Sequence, residues 1–249
     1  MPRKPPEWEP AIVVGGADYG EADRVVRLLT PRWGRVAALA RGARRKTRRF
    51  GGALDVGNRV EAALRGGSGS LWHLDEASLV DARLGARRDL QRLGLLGYAV
   101  ELCAALARED HEEPRLFGLL DMTGLLLAAM TGPPGDLFRL GLEAKALTFS
   151  GLQPAFTRCP GCGEPVEEPL VFLPAHGGAW HVRCHPGEGT PVSLAWLDAV
   201  ERARRTPLRE LVDERAPPGP AWALAEAVEA HLGTALRSRR VLAAFEGVG

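Results

Sequence analysis

Hydrophobic positions change their period once along the chain, near residue 83. Before it, short apolar runs alternate with turn residues: Ala11-Ile12-Val13-Val14 ends at Gly15-Gly16, and Val25 to Leu29 and Val36 to Leu39 flank a turn marked by Pro31 and Gly34. Val60 to Leu64 precedes the loop Gly66 to Ser70, and Leu71 to Val80 follows it. Five β-prone runs in so short a span predict a small Greek-key barrel such as an OB-fold, with a small open sheet as the alternative.

After residue 83 the apolar spacing is helical. Leu90, Leu93, Gly97, Val100, Cys103, Ala104 and Ala107 fall on one predicted stripe, with Arg87, Arg88 and Arg92 mainly on other faces. Cys103 reads there as a buried small hydrophobe. Pro114 suits the first turn of a second helix. That helix runs to Met130, is apolar nearly all round, and is expected at the centre of its bundle. Asp136 to Phe149 predicts a third helix, Ser193 to Arg205 another, Pro207 to Asp213 a short one, and Ala221 to Phe245 one long amphipathic helix. The fold expected is α+β and multi-domain: a barrel over 1–80, a helical domain begun by 81–157 and completed by 191–249, and an embedded zinc-ribbon-like segment at 158–190.

Composition fits a globular chain: 249 residues, 45% hydrophobic and 25% charged, with four cysteines, too few for a disulfide scaffold. The chain opens without an apolar leader, and no apolar run suffices to span a bilayer, so a reducing cytoplasm is the expected compartment. The formal net charge of +1 argues weakly against nucleic acid until it is divided along the chain. Residues 1–80 hold 14 basic and 9 acidic side chains, whereas 81–150 and 151–190 are each net acidic. Arg32 to Arg49 contains eight basic residues and no acid.

Arg35, Arg41, Arg44, Arg45, Lys46, Arg48 and Arg49 are the candidate nucleic-acid ligands, since guanidinium groups donate bidentately to phosphate. Trp33, Phe50 and Trp72 could stack on bases or pack the core. Arg237, Arg239 and Arg240 weigh less, because cations near a helix C-terminus are favoured by its dipole alone. Cys159-Pro160-Gly161-Cys162 and His181-Val182-Arg183-Cys184 form two knuckles of two-residue spacing, separated by 18 residues. Cys159, Cys162, His181 and Cys184 make a Cys3His set for one structural Zn2+, with no position left for a catalytic water. His185 and His176 are alternatives to His181, and a metal-free or disulfide state of the knuckle is the other reading. Glu109 to Glu113 is expected to be a solvated turn.

Tyr19-Gly20-Glu21-Ala22-Asp23, Leu28-Leu29-Thr30, Gly34-Arg35, Ala40-Arg41-Gly42-Ala43-Arg44-Arg45 and the late cysteine knuckle resemble the bacterial RecO family over nearly the whole chain. His181 departs from the four cysteines of many members. The resemblance implies an N-terminal OB-fold and a non-enzymatic recombination mediator in DNA repair. Such a mediator binds single- and double-stranded DNA, anneals complementary strands and, with RecR, promotes RecA loading on DNA coated by single-stranded-DNA-binding protein (SSB). It further implies docking of the SSB tail on the helical domain, RecF as a further partner, and a nucleoid-associated location. The rival expectation is a nucleic-acid-modifying enzyme using the zinc ribbon as a substrate clamp; the chain shows no P-loop, nucleophile elbow or HExxH motif in its favour. A third is an adaptor whose DNA contact is incidental.

Overall fold

The computed structural model describes residues 5–45, 49–66, 71–185 and 189–246. It divides into two compact units, Met1–Ala129 and Met130–Gly249.

In the first unit, β1 (Glu7–Tyr19), β2 (Asp23–Thr30), β3 (Gly34–Ala40), β4 (Arg59–Arg65) and β5 (Leu71–Asp81) close into a barrel of order β1-β2-β3-β5-β4. Only the β3–β5 seam is parallel. All five expected strands are present, and closure excludes the open sheet. Ala11, Val13, Val26, Leu28, Val36, Ala38, Val60, Leu64 and Leu74 fill the interior, as alternation along each strand requires. Phe50 belongs to this interior, and Trp33 and Trp72 pack against it with ring centroids 5.3 Å apart. Phe50 therefore takes the packing role, while the two tryptophans pack against the core and remain half-buried. Contrary to expectation, β1 does not stop at Gly15-Gly16. A bulge between Val13 and Gly15 absorbs one extra residue, and pairing with β2 continues to Tyr19.

Behind the barrel lie α1 (Leu90–Leu106) and α2 (Pro114–Ala129). Asp89 caps α1 by accepting from the Arg92 N–H at 2.9 Å, and Pro114 opens α2 as expected. The stripe expected on α1 is rotated. Leu90 and Leu93 are exposed, while Arg92 is buried beside the α2 carbonyl of Leu127. Cys103 is fully buried, and burial pushes its thiol up to about 12. Arg83 is buried at the end of β5, paired with Asp81 and with Asp121 of α2. Glu109 to Glu112 are exposed, as expected of a solvated turn, but its last residue is docked on the barrel: Glu113 is buried and accepts from Arg108, and the Glu113 N–H reaches Pro31 O at 2.8 Å.

The second unit contains α3 (Asp136–Phe149), a small sheet of β6 (Leu170–Leu173), β7 (Gly178–His181) and β8 (Thr190–Val192) in the order β7-β6-β8, and α4 (Leu194–Arg205), α5 (Ala223–Leu232) and α6 (Arg237–Glu246). The most enclosed helix is α3, not α2. Every residue from Leu137 to Leu147 is buried, including Arg139, Glu143 and Lys145, whereas Met122 and Leu125 of α2 are exposed. The charged groups of α3 are tolerated because they are paired: Arg139 meets Glu143 at 3.0 Å, and Lys145 Nζ donates to the carbonyls of Ala203 and Arg204. One long terminal helix is expected from residue 221, but two are found. Gly233 adopts left-handed φ of 67° after Leu232, which ends α5.

Candidate nucleic-acid and metal sites

The arginine run emerges at the end of β3, where its chain turns toward the β1–β2 connection. Gly42, at φ 71°, lets the turn form, and its N–H donates to Asp23 Oδ1 at 2.8 Å. The Arg44 N–H then donates to Ala22 O at 3.0 Å. Ala77 of β5 donates to Arg49 O at 2.9 Å, tying the far end of the run to the barrel wall. The loop's backbone is thus anchored at both ends, and among the described residues Arg41, Arg44, Arg45 and Arg49 stay on the surface.

Those side chains divide into three groups. Arg41, Arg45 and Arg49 are exposed and have no carboxylate partner among the described residues; Arg49 Nη2 donates only to Arg41 O, at 2.9 Å. Arg44 is exposed but leans on Asp18, with Nε–Oδ2 of 3.4 Å. Arg35 is set apart. It is held by Glu109 and by the Ala104 carbonyl of α1, so its fork already has partners. Lys46 and Arg48 lie outside the described residues. Two further arginines had no place in the charge-run reading. On β2, Arg24 and Arg27 lie beside Gly16 and Gly15, and neither has a carboxylate partner among the described residues. Arg27 is paired opposite Gly15, whereas Arg24 stands opposite Asp18 and lies along β1 beside Gly16.

The metal-ligating residues converge in the second unit. One ligand atom from each of Cys159, Cys162, His181 and Cys184 lies within 4.8 Å of the others, so the group could hold a metal ion. Both knuckles are backbone-organised. Gly163, at φ 76°, donates to Cys159 O at 2.8 Å, and Cys184 donates to His181 O at 2.9 Å. A Cβ at Gly161 would stand 2.6 Å from the Trp180 ring, so that close approach requires glycine.

His181 is buried and presents Nδ1 to Cys162 Sγ at 3.4 Å and to Cys184 Sγ at 3.8 Å. Its Nε2 lies 3.1 Å from Pro165 O. The Glu167 N–H also donates to Nε2 at 3.2 Å, so a cation held at Nδ1 would require the proton to move to Nε2, where the Pro165 carbonyl can accept it. His185 stacks edge-on against Trp180 and lies beside His176, outside the four-residue group. Burial opposes ionisation of Cys159, but hydrogen bonds from the His181, Cys162 and Gly161 backbone and from the Cys162 side chain outweigh it and hold the thiol down at about 6. Burial and the neighbouring cysteine sulfurs push Cys184 up to about 11. Close sulfurs resist joint ionisation, and a bound cation would relieve that resistance. The segment also has more apolar support than its sequence suggests: Phe172 is fully buried between Phe156 and Trp196, at centroid distances of 6.4 and 6.0 Å.

Comparison with known proteins agrees with both halves of this architecture. Residues 6–83 match the family described as Recombination protein O N terminal, and residues 87–240 match Recombination protein O C terminal. A DNA repair protein RecO from Anaeromyxobacter sp. (strain K) is 40% identical over 93% of this chain and 93% of its own length. That from Myxococcus xanthus is 39% identical over 80% of this chain and 82% of its own. That from Pelobacter propionicus is 34% identical over 95% and 96%. With both domains matched and these identities sustained over most of the chain, the protein belongs to the RecO family of DNA repair proteins.

Proposed function

We propose that this chain is a non-enzymatic recombination mediator that binds single- and double-stranded DNA, anneals complementary strands and, with RecR, promotes RecA loading on SSB-coated DNA. The observation that carries the reading is the anchored loop after β3, which displays Arg41, Arg45 and Arg49 without carboxylate partners among the described residues. Annealing asks little more of a protein than this. Cations neutralise phosphate on two strands, and base pairing then supplies the driving force. The same loop serves either form of DNA, because phosphate contacts carry no sequence information.

The Cys159, Cys162, His181 and Cys184 group is proposed to hold one structural Zn2+. Three sulfurs and a nitrogen are the donor set that zinc takes tetrahedrally, and four protein ligands leave no open position. Contacts with RecR, RecF and the SSB tail are part of the proposal through family membership, as is a cytoplasmic, nucleoid-associated location. Among the described residues, no helix is long and apolar enough to cross a membrane.

A salt titration of single-strand binding and of annealing tests the reading. Replacing Arg44, Arg45, Arg48 and Arg49 by Ala should weaken binding to unrelated sequences alike and flatten the salt dependence. A Cys159→Ser/Cys162→Ser variant should lose stability first. Unchanged affinity of the arginine variant at fixed salt overturns the loop as the DNA contact. Nuclease or nucleotide hydrolysis by the pure protein, abolished by one side-chain change, would favour an enzyme.

A further inference from the structure

Beside the four-residue metal group lies a second pair of imidazoles that it does not use. His176 ends the short turn Pro174–His176 between β6 and β7, and His185 follows directly on Cys184 of the second knuckle. Their ring centroids are 5.1 Å apart, with the planes tilted by 59°. His176 is exposed and His185 half-buried.

Both histidines are positioned by their surroundings. Gly177, at φ 81°, reverses the chain after His176, and its carbonyl accepts from the Ala155 N–H at 2.8 Å. Trp180 Nε1 donates to His176 O at 3.1 Å. On the other side, the His185 N–H donates to His181 O at 3.2 Å, and the His185 ring meets Trp180 edge-on at a centroid distance of 5.2 Å. Trp180 is thus a common support for the two rings.

Packing alone does not account for His185 Nδ1, which is buried and has no hydrogen-bond partner among the described residues. The ring spacing points the same way. A cation about 2.1 Å from one nitrogen of each imidazole, bound near the tetrahedral angle, holds two ring centroids roughly 5 Å apart. No third histidine, cysteine or carboxylate completes the pair among the described residues, where Cys159, Cys162, His181 and Cys184 are the one group of three or more. Water would fill the remaining positions, so a cation here is exchangeable, whereas the four-ligand group is closed.

We propose that His176 and His185 form a second, exchangeable cation site for a late first-row divalent ion such as Ni2+, Cu2+ or Zn2+, the ions that imidazole nitrogen suits. A cation held there ties the β6–β7 turn to the second knuckle and braces the segment that carries His181 and Cys184. None of the four residues assigned to the structural Zn2+ takes part, so the two sites can fail independently.

Equilibrium dialysis of the full chain against Ni2+, followed by metal analysis, tests the site in wild type, His176→Ala, His185→Ala and, as a histidine elsewhere on the surface, His231→Ala. Wild type and His231→Ala should take up one Ni2+ without the thiolate charge-transfer absorbance that a cation among the cysteines gives. Each pair variant should bind Ni2+ at least ~10-fold more weakly, since losing even the hydrogen-bond partner of a metal ligand costs that much. Ni2+ should raise the melting temperature of wild type and of neither pair variant, and melting without Ni2+ verifies that each variant folds. Ni2+ should also quench Trp180, and quenching that survives Trp180→Phe puts the ion elsewhere and overturns the site. No uptake by wild type, or unchanged uptake by either pair variant, leaves the rings as packing only and overturns it. Loss of the purified protein's zinc in His185→Ala overturns it as well, because His185 then belongs to the structural group.

Discussion

Arg35 Nη2 donates to Glu109 Oε1 at 3.0 Å across 74 positions of sequence, and its Nη1 donates to Ala104 O at 3.1 Å. Together they clip the β2–β3 turn to the end of α1. A guanidinium so engaged would have to break those bonds before reaching phosphate, which separates Arg35 from the rest of the arginine run. Arg35→Ala is expected to leave the salt dependence of DNA binding unchanged. Stability should fall by only about 1 kcal/mol, because the ion pair is partly exposed, and urea denaturation would measure it.

Within the loop the arginines are not equivalent. Arg44 is partly neutralised by Asp18, whereas Arg45 has no such partner among the described residues. Arg45→Ala should therefore weaken single-strand binding more than Arg44→Ala. Removing one phosphate ligand should reduce the log–log salt slope by roughly 0.7 for a single strand. Equal effects from the two substitutions would show that Asp18 does not withhold Arg44.

Gly34 marks a place where the backbone admits nothing larger. Its φ is 61°, and a Cβ there would come within 2.2 Å of Arg108 O. Gly34→Ala combines left-handed strain with a backbone collision in the clip that Arg35 completes. A loss of at least about 2 kcal/mol is expected by chemical denaturation.

Protons and metal compete for the cysteine–histidine group. With Cys159 held down at about 6 and Cys184 pushed up to about 11, binding a cation must displace a proton from Cys184 at neutral pH. Zinc affinity should accordingly rise with pH between about 6 and 8, measured by competition with a chromogenic chelator. Gly161→Ala, which drives a methyl into Trp180, should weaken binding. Protein purified without added zinc should hold close to one equivalent, and chelation should lower its melting temperature.

Lys145 gives a second pH signature, at higher pH. Burial, and secondarily the Arg204 charge, lower its ammonium to about 8 from an ordinary 10.5. Below pH 8 the lysine is protonated whether the chain is folded or not. Between about 8 and 10.5 the folded chain has lost the proton that the unfolded chain still binds, so this group makes stability rise with pH. Wild type should gain stability across that window relative to Lys145→Met. A flat difference between the two melting curves would refute the shift.

The strands, most helices and the two sulfur knuckles were legible from local pattern, because each depends on neighbours in sequence. Alternation fills a barrel interior, Pro114 opens a helix, and two-residue spacing folds a knuckle. Errors fell where distant chain segments decide. Arg92 is buried and Leu93 exposed because the face of α1 that packs is chosen by α2, not by the hydropathy of α1. The segment from Leu137 to Leu147 is enclosed despite its charges because Glu143 and the carbonyls of Ala203 and Arg204 satisfy them.

The candidate site shows the same division. Composition along the chain alone located the cation-rich stretch, and cysteine and histidine spacing alone named a four-ligand set. Only the tertiary structure could separate Arg35 from Arg45, since the difference lies in a carboxylate 74 residues away. It also brings His181 rather than His185 to the cysteine sulfurs, with the Pro165 carbonyl and the Glu167 N–H holding the far side of the ring. Arg27 was invisible for a related reason. A lone arginine between apolar neighbours is commonplace in a sequence, and only the bulge and pairing of β1 show that it rests on a bare glycine. Sequence records which charges and donors the chain carries, whereas their availability depends on partners that folding brings from elsewhere.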